Sequence, residues 1–162
     1  MPRSRPEASI RQAIPADEAF IVGCVEAAYE KYVPRIGKPP APMLADYASL
    51  IRAGVVHVLE HRGAPAGVIV MAPGDGHLFV ENVAVVPSHH GLGLGRALMA
   101  FAEAEALRRG FTEVRLYTHE RMTENLGFYR RLGYRVTGRR EEDGYRRVYF
   151  RKRLTHRPRR PA

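Results

Sequence analysis

The run NVAVVPSHHGLGLGRALM, residues 82–99, sets three glycines at alternate positions, Gly91, Gly93 and Gly95, directly before a helical pattern. Each glycine costs backbone entropy on folding, about 0.5–1 kcal/mol relative to alanine in a regular element, so something must require bare backbone there. A glycine-rich turn from a strand into a helix N-terminus aims main-chain N–H groups, backed by the helix dipole, at an anion. Phosphate is the ligand such a turn suits. Two devices of this kind are excluded by spacing. The P-loop needs GxxxxGK[ST], and the chain holds no such run. The dinucleotide fingerprint GxGxxG fails because the position three beyond Gly93 is Arg96. Just upstream, Glu81 interrupts the apolar stretch LFVENVAVV, and a carboxylate in a mostly buried strand is costly unless paired or put to use. Strict alternation sets Glu81 on the face of Val83 and Val85, with Asn82 on the other.

The elements that must position these residues follow from periodicity. Residues 8–14 alternate as an edge strand does, and Pro15 with Asp17 and Glu18 behind it opens a helix through about Tyr32. Residues 33–42, VPRIGKPPAP, read as a proline-broken loop, and MLADYASLIRAG as a second helix stopped at Gly54. VVHVLEHRG, APAGVIVMAPG and GHLFVENVAVV read as three strands whose short Gly- and Pro-bearing turns favour an antiparallel meander. After the glycines, Leu94, Ala97, Leu98, Phe101 and Ala104 mark one buried helix face, closed by Arg108, Arg109 and Gly110. TEVRLYT is a strand, parallel to the one before the helix. Residues 121–132 form a short helix, and 133–140 with 145–153 a last hairpin around EEDG. The order β-α-α-β-β-β-α-β-α-β-β describes an α/β fold with one mixed sheet and helices on both faces.

The strand, Pro87 and the run His90-Gly91-Leu92-Gly93-Leu94-Gly95 resemble the pyrophosphate loop of the GNAT superfamily of acyl-CoA-dependent N-acetyltransferases, [RQ]-x-x-G-x-[GA]. YRRLGY, Tyr129 to Tyr134, resembles that family's Y-x-x-x-G-[FY] signature, so the likeness extends over roughly residues 8–153. It departs at His90, where the family usually has Arg or Gln. The resemblance implies splayed central strands, opened by a bulge, with acetyl-CoA as cosubstrate between them. Main-chain groups of Val83, Ala84 and Val85 would pair with the pantetheine arm as with an extra strand. Backbone N–H groups from Leu92 to Arg96 would hold the pyrophosphate, with His90 and Gly91 leading into the cradle and the Arg96 side chain free to reach a phosphate. Glu81 would be the general base that deprotonates the acceptor amine, and Tyr129 the acid that protonates the departing thiolate. The family often carries an asparagine seven residues before that tyrosine, where this chain has Met122. Asn125, one turn before Tyr129, takes its place on geometry as a hydrogen-bond partner of the cofactor. Tyr29, Tyr32, Arg35 and the loop to Met43 would shape the acceptor pocket, their cations suiting an anionic group. A homodimer is the assembly common among relatives.

Composition sets the remaining bounds. The 162 residues are 45% hydrophobic and 27% charged, which fits one soluble domain over residues 1–154. No apolar run approaches the roughly 20 residues that cross a bilayer, and MPRSRPEAS lacks the apolar stretch of a signal peptide. Cys24 is the sole cysteine, so no internal disulfide forms and a cytoplasmic setting is expected. The net charge of +9 is uneven, with six of the cations in the last 12 residues. Residues 155–162 read as a basic disordered tail. That uneven charge, with no recognisable reading helix, speaks against nucleic acid as the partner. The competing functions are a CoA-binding module without catalysis and a basic nucleic-acid adaptor. His89 and His90 are adjacent, which is poor chelating geometry, so no metal site is expected. His119 and Glu120 read as a solvated turn.

Overall fold

A single mixed sheet organises the chain. The computed structural model describes residues 7–155, so the basic tail from position 156 onward lies outside the described residues. The strands are β1 (Ala8–Gln12), β2 (Val56–His61), β3 (Ala64–Pro73), β4 (Leu78–Val85), β5 (Glu113–His119), β6 (Arg135–Glu142) and β7 (Tyr145–Arg153). Their order across the sheet is β1-β2-β3-β4-β5-β7-β6. β2, β3 and β4 form the expected antiparallel meander, and β4 and β5 are parallel. β3 is buried without interruption from Ala66 to Met71, as befits a central strand covered on both faces.

The helices are α1 (Glu18–Tyr29), α2 (Val33–Ile36), α3 (Tyr47–Arg52), α4 (Leu94–Arg108) and α5 (Thr123–Arg131). α4 buries Leu94, Leu98, Met99, Ala102 and Ala106 against β3, β4 and β5, and α5 joins the same core through Tyr129 and Phe128. On the opposite face α1 and α3 bury Ile21, Val25, Tyr29, Tyr47 and Ile51 against Val58, Val68 and Val70.

Two expected helices are shorter than their patterns. The first is α-helical only over Glu18–Tyr29, flanked by 3-10 turns at Pro15–Asp17 and Glu30–Tyr32. Asp17, which accepts from the Ile14 N–H (2.8 Å) and from Arg11 (2.8 and 2.9 Å), locks the entering turn. The second begins at Tyr47 because the Asp46 carboxylate accepts from Ser49 N–H (3.2 Å) and caps it there. Within the proline-broken stretch the chain still completes the single turn α2.

Two irregularities position the site. β3 and β4 pair Val70 with Asn82 and Met71 with Val80, leaving Glu81 as the extra residue of a bulge. β4 and β5 pair only over Leu78–Val80 against Val114–Leu116. Beyond that the two central strands splay, as expected.

Candidate active site

The bulge reverses the side-chain pattern of β4. Strict alternation would have left Glu81 beside Val83 and Val85. Asn82 turns in with Ala84 toward α1, 6% exposed, opposite Val83 and Val85 as alternation predicts, and it is the exposed Glu81 that the bulge carries off the face of those two valines. The Asn82 side chain accepts from the Tyr29 hydroxyl (2.7 Å) and donates to the Tyr47 hydroxyl (3.0 Å), which itself donates to the Pro42 carbonyl (2.6 Å). Glu81 faces the side of Tyr47 and Tyr117. Burial raises the Tyr117 hydroxyl above its ordinary pKa, Arg147 pulls it back, and the Glu81 charge adds to the rise.

Beyond Val80 the β5 side of β4 has no strand against it. The Val86 N–H donates to the Ala66 carbonyl (2.9 Å), so by alternation Ala84 also turns its main-chain groups to β3, and Val83 and Val85 turn theirs to the open wedge. This corrects the expectation for Ala84, which spends its backbone on the sheet. Of the groups facing the wedge, the Val83 carbonyl accepts from Tyr29 (3.1 Å) and the Val85 carbonyl meets the His90 Nε2 (3.0 Å). Among the described residues, no strand stands against the N–H groups of Val83 and Val85.

Two cavities open from this wedge. One, of about 440 Å³, lies between the glycine loop and α5. Gly91 and Gly93 adopt φ +83° and +76°, the left-handed region that favours glycine. Gly95 has another reason: an added Cβ would sit 3.3 Å from the Phe128 ring. Among the described residues, none of the N–H groups of Leu92 to Arg96 donates to a protein acceptor. They point as a group from the N-terminus of α4. His90, the departure from the expected pattern, is a strut that ties the loop back to β4 through the Val85 carbonyl. Arg96, Lys31 and Arg131 are exposed cations on this cavity's wall.

The other cavity, of about 290 Å³, has walls of Ile36, Pro40, Pro42, Leu50, Phe79, Tyr117 and Tyr145, with Glu81, His119 and Arg147 as its ionisable members. The tip of the β6–β7 hairpin closes it. The Tyr145 hydroxyl donates to the Pro39 carbonyl (2.6 Å), and Lys38 donates to the Asp143 carbonyl (3.2 Å) with its ammonium 3.9 Å from the Tyr145 ring centre. Tyr29, Val83, Asn125 and Tyr129 border both cavities. Tyr129 is 7% exposed, its hydroxyl makes no hydrogen bond among the described residues, and burial holds its pKa above the ordinary value. Asn125 reaches Thr118 Oγ1 (3.5 Å) and the Met122 sulfur (3.6 Å). Met122 itself is core, 4% exposed.

Several expectations move. Arg35 does not offer a free cation to an acceptor: Glu124 clamps its guanidinium with two 2.8 Å bonds, and Arg35 in turn pulls the Glu124 carboxyl down to about 2. Tyr32 lines the glycine-loop cavity instead of the apolar one. His119 is no solvated turn but a cavity wall, its pKa lowered by burial. The Arg121 N–H meets His119 Nδ1 (3.0 Å) and the Arg146 N–H meets Nε2 (3.4 Å), so whichever nitrogen of the neutral ring carries the lone pair has a backbone donor on it. Alternation could not reveal Arg147, which lies over the Tyr117 ring at 4.3 Å. Among the described residues no group of three or more His, Cys, Asp or Glu is gathered as a metal site would need, and no helix is long and apolar enough to cross a membrane.

A phosphate-type cradle and an apolar chamber meeting at a buried tyrosine, astride a splayed parallel pair, define an acyl-transfer class of fold. The chain belongs to the acetyltransferase (GNAT) family, whose model matches residues 20–134. It is 34% identical over 105 residues to the rice (Oryza sativa subsp. japonica) serotonin N-acetyltransferase 2, chloroplastic, covering 62% of this chain and 51% of that protein. The chain thus spans about half the length of that curated relative. The PaiA N-acetyltransferase of Thermoplasma acidophilum, solved with coenzyme A, superposes with TM-score 0.76 at 15% identity over 91% of this chain and 99% of that one. The Escherichia coli ribosomal-protein-S18-alanine N-acetyltransferase superposes with TM-score 0.72 at 18% identity over 96% and 99%. At these identities the structural likeness establishes the fold.

Proposed function

We propose that the protein transfers an acetyl group from acetyl-CoA to a primary amine. The observation that carries this reading is the meeting of the two cavities at Tyr29, Val83, Asn125 and Tyr129. Acetyl-CoA fits the larger one: the unpartnered N–H groups of Leu92 to Arg96 face where a pyrophosphate belongs, Arg96, Lys31 and Arg131 add positive charge, and the N–H groups of Val83 and Val85 suit the amides of an extended arm. When bound, acetyl-CoA supplies a thioester carbonyl open to attack by an amine.

Glu81 takes the proton from the acceptor ammonium in the apolar chamber. His119 is the other basic wall residue, and its lone pair is already claimed by a backbone N–H. Tyr129, protonated at neutral pH as an ordinary phenol is, with burial raising its pKa further, gives its proton to the departing thiolate. The Tyr29–Asn82–Tyr47 chain of hydrogen bonds ties the residue beside Glu81 to α1 and α3. The likeness to an enzyme named for an amine supports an amine acceptor, and the single buried cysteine, Cys24, fits a reducing, cytoplasmic setting. Calorimetry with acetyl-CoA, followed by thiol release across a panel of amines, tests the proposal. No heat at about 1 mM acetyl-CoA, where a Kd corresponds to roughly −4 kcal/mol, would end it.

A further inference from the structure

Among the described residues, the half of the sheet made by β5, β7 and β6 has a hydrophobic core on one face only. α4 and α5 pack over Val114, Leu116, Val148 and Phe150. The second core, under α1 and α3, takes no residue from β5, β6 or β7. The pairing register therefore leaves an open face on which Arg115 stands opposite Arg151, Tyr117 opposite Tyr149, Glu113 opposite Arg153, and Arg140 opposite Arg147.

Charge on this face is unbalanced. Six arginines, Arg115, Arg135, Arg140, Arg147, Arg151 and Arg153, meet three carboxylates, Glu113 and Glu142 on the strands and Asp143 at the hairpin turn, 3.7 Å from Arg147. Glu113 alone lies within 2.8, 4.0 and 3.7 Å of Arg115, Arg151 and Arg153. One carboxylate cannot neutralise three guanidiniums. The aromatic rings here are occupied: Arg147 covers Tyr117 at 4.3 Å, Arg140 covers Tyr149 at 5.1 Å, and the two rings lie 5.5 Å apart. Bases of a nucleic acid would find no bare ring to stack on, whereas outward guanidinium forks match carboxylates. The face also runs into the apolar chamber, because Phe79, Tyr117, Tyr145 and Arg147 belong to the chamber's wall.

We propose that the acceptor amine is the amino end of a polypeptide whose next residues are acidic, held along the open β5–β7–β6 face. That the amine is acetylated rests on the acetyl-transfer reading above; the affinity of the face for an acidic chain does not. Three strands side by side span about 10 Å, a distance that three or four extended residues cross. The acidic positions are thus roughly the third to sixth of the acceptor.

Fluorescein-labelled peptides with a free amino end, identical except for glutamates, glutamines or lysines at those positions, test this by anisotropy and by thiol release from acetyl-CoA. At low salt the glutamate peptide should bind, and be acetylated in kcat/KM, about tenfold better than the glutamine peptide, the scale of a few exposed ion pairs acting together. The lysine peptide should be poorest, and the advantage should shrink as salt rises. Arg140 and Arg151 lie outside both cavity walls. Arg140→Glu with Arg151→Glu should abolish the advantage while leaving thiol release with a small amine within about twofold. Arg140→Gln with Arg151→Gln should reduce it, so a reversal pair that fails to fold leaves the test intact. Equal binding of the glutamate and glutamine peptides, or an advantage that survives the charge reversal, would overturn the proposal. So would displacement of the peptide by a single-stranded oligonucleotide more readily than by its own unlabelled copy. Failure of every peptide and every small amine to release thiol would overturn the acetyl-transfer reading and the acceptor role with it, while anisotropy still decides what the face binds.

Discussion

Replacing Asn82 by Asp exchanges one atom and should make stability depend on pH. The side chain is 6% exposed and bonded at both ends. Tyr29 can still donate to one carboxylate oxygen, but the second replaces the Nδ2 that donated to Tyr47, whose own proton is committed to the Pro42 carbonyl. Two oxygens then face each other without a proton, and burial disfavours the charge. Both effects push the new carboxyl's folded pKa above its ordinary value of about 3.9. A rise of about two units corresponds to about 2.7 kcal/mol, or a Tm deficit of about 5–10 °C in a domain of this size.

The sign follows from the raised folded pKa. The deficit is absent below the unfolded pKa, grows as pH rises through the window between the two values, and is complete above the folded one. Thermal melts of Asn82→Asp against wild type should thus show the full deficit at about pH 7.5 and roughly a third of it at about pH 4.5. Asn82→Ala, which leaves the Tyr47 oxygen without its donor, should lose about 1–3 kcal/mol at both pH values. A deficit for Asn82→Asp that is the same at both, or no deficit at neutral pH, would refute the reasoning.

Tyr129→Phe should lower turnover about 100-fold, the scale of general-acid assistance, with acetyl-CoA affinity by calorimetry nearly unchanged; equal turnover removes Tyr129 from the mechanism. Gly91→Ala and Gly93→Ala should each lose about 1–2 kcal/mol in urea unfolding from left-handed strain alone, because nothing lies within 4 Å of the added carbon at either position. His57, whose Nδ1 is buried without a partner, has its pKa lowered by burial. The unfolded chain therefore takes the proton first as pH falls below about 6.5. His57→Leu should flatten the loss of Tm between roughly pH 7 and 5, and an unchanged slope would show that another group sets it.

The glycine loop was legible because each glycine answers a local demand, a left-handed φ at Gly91 and Gly93 and a close ring at Gly95. The meander, the parallel pair and the buried stripe of α4 followed from periodicity for the same reason: local pattern dictates them. The face of Asn82 was legible from alternation, but the displacement of Glu81 was not. A bulge shifts alternation by one residue, and the register that creates it is set by β3, a different strand. Ala84 was named by the resemblance together with its neighbours, and only the pairing of β3 with β4 shows its main chain turned to the sheet. Arg35 looked available because its partner, Glu124, lies 89 residues away in sequence. His119 and Arg147 carry no local signal, since only the sheet order brings β5 and β7 to the chamber wall.

The bonds from Tyr145 to Pro39 and from Lys38 to Asp143 join positions 106 and 105 residues apart. Closing so long a loop is slow and comes after local structure. During synthesis the glycine cradle and α4 emerge well before the hairpin that roofs the apolar chamber. A nascent chain ending short of Tyr145 would lack both the strand that pairs with β5 and the roof of the apolar chamber. The roof of the apolar chamber is thus assembled from two stretches that lie near opposite ends of the described chain.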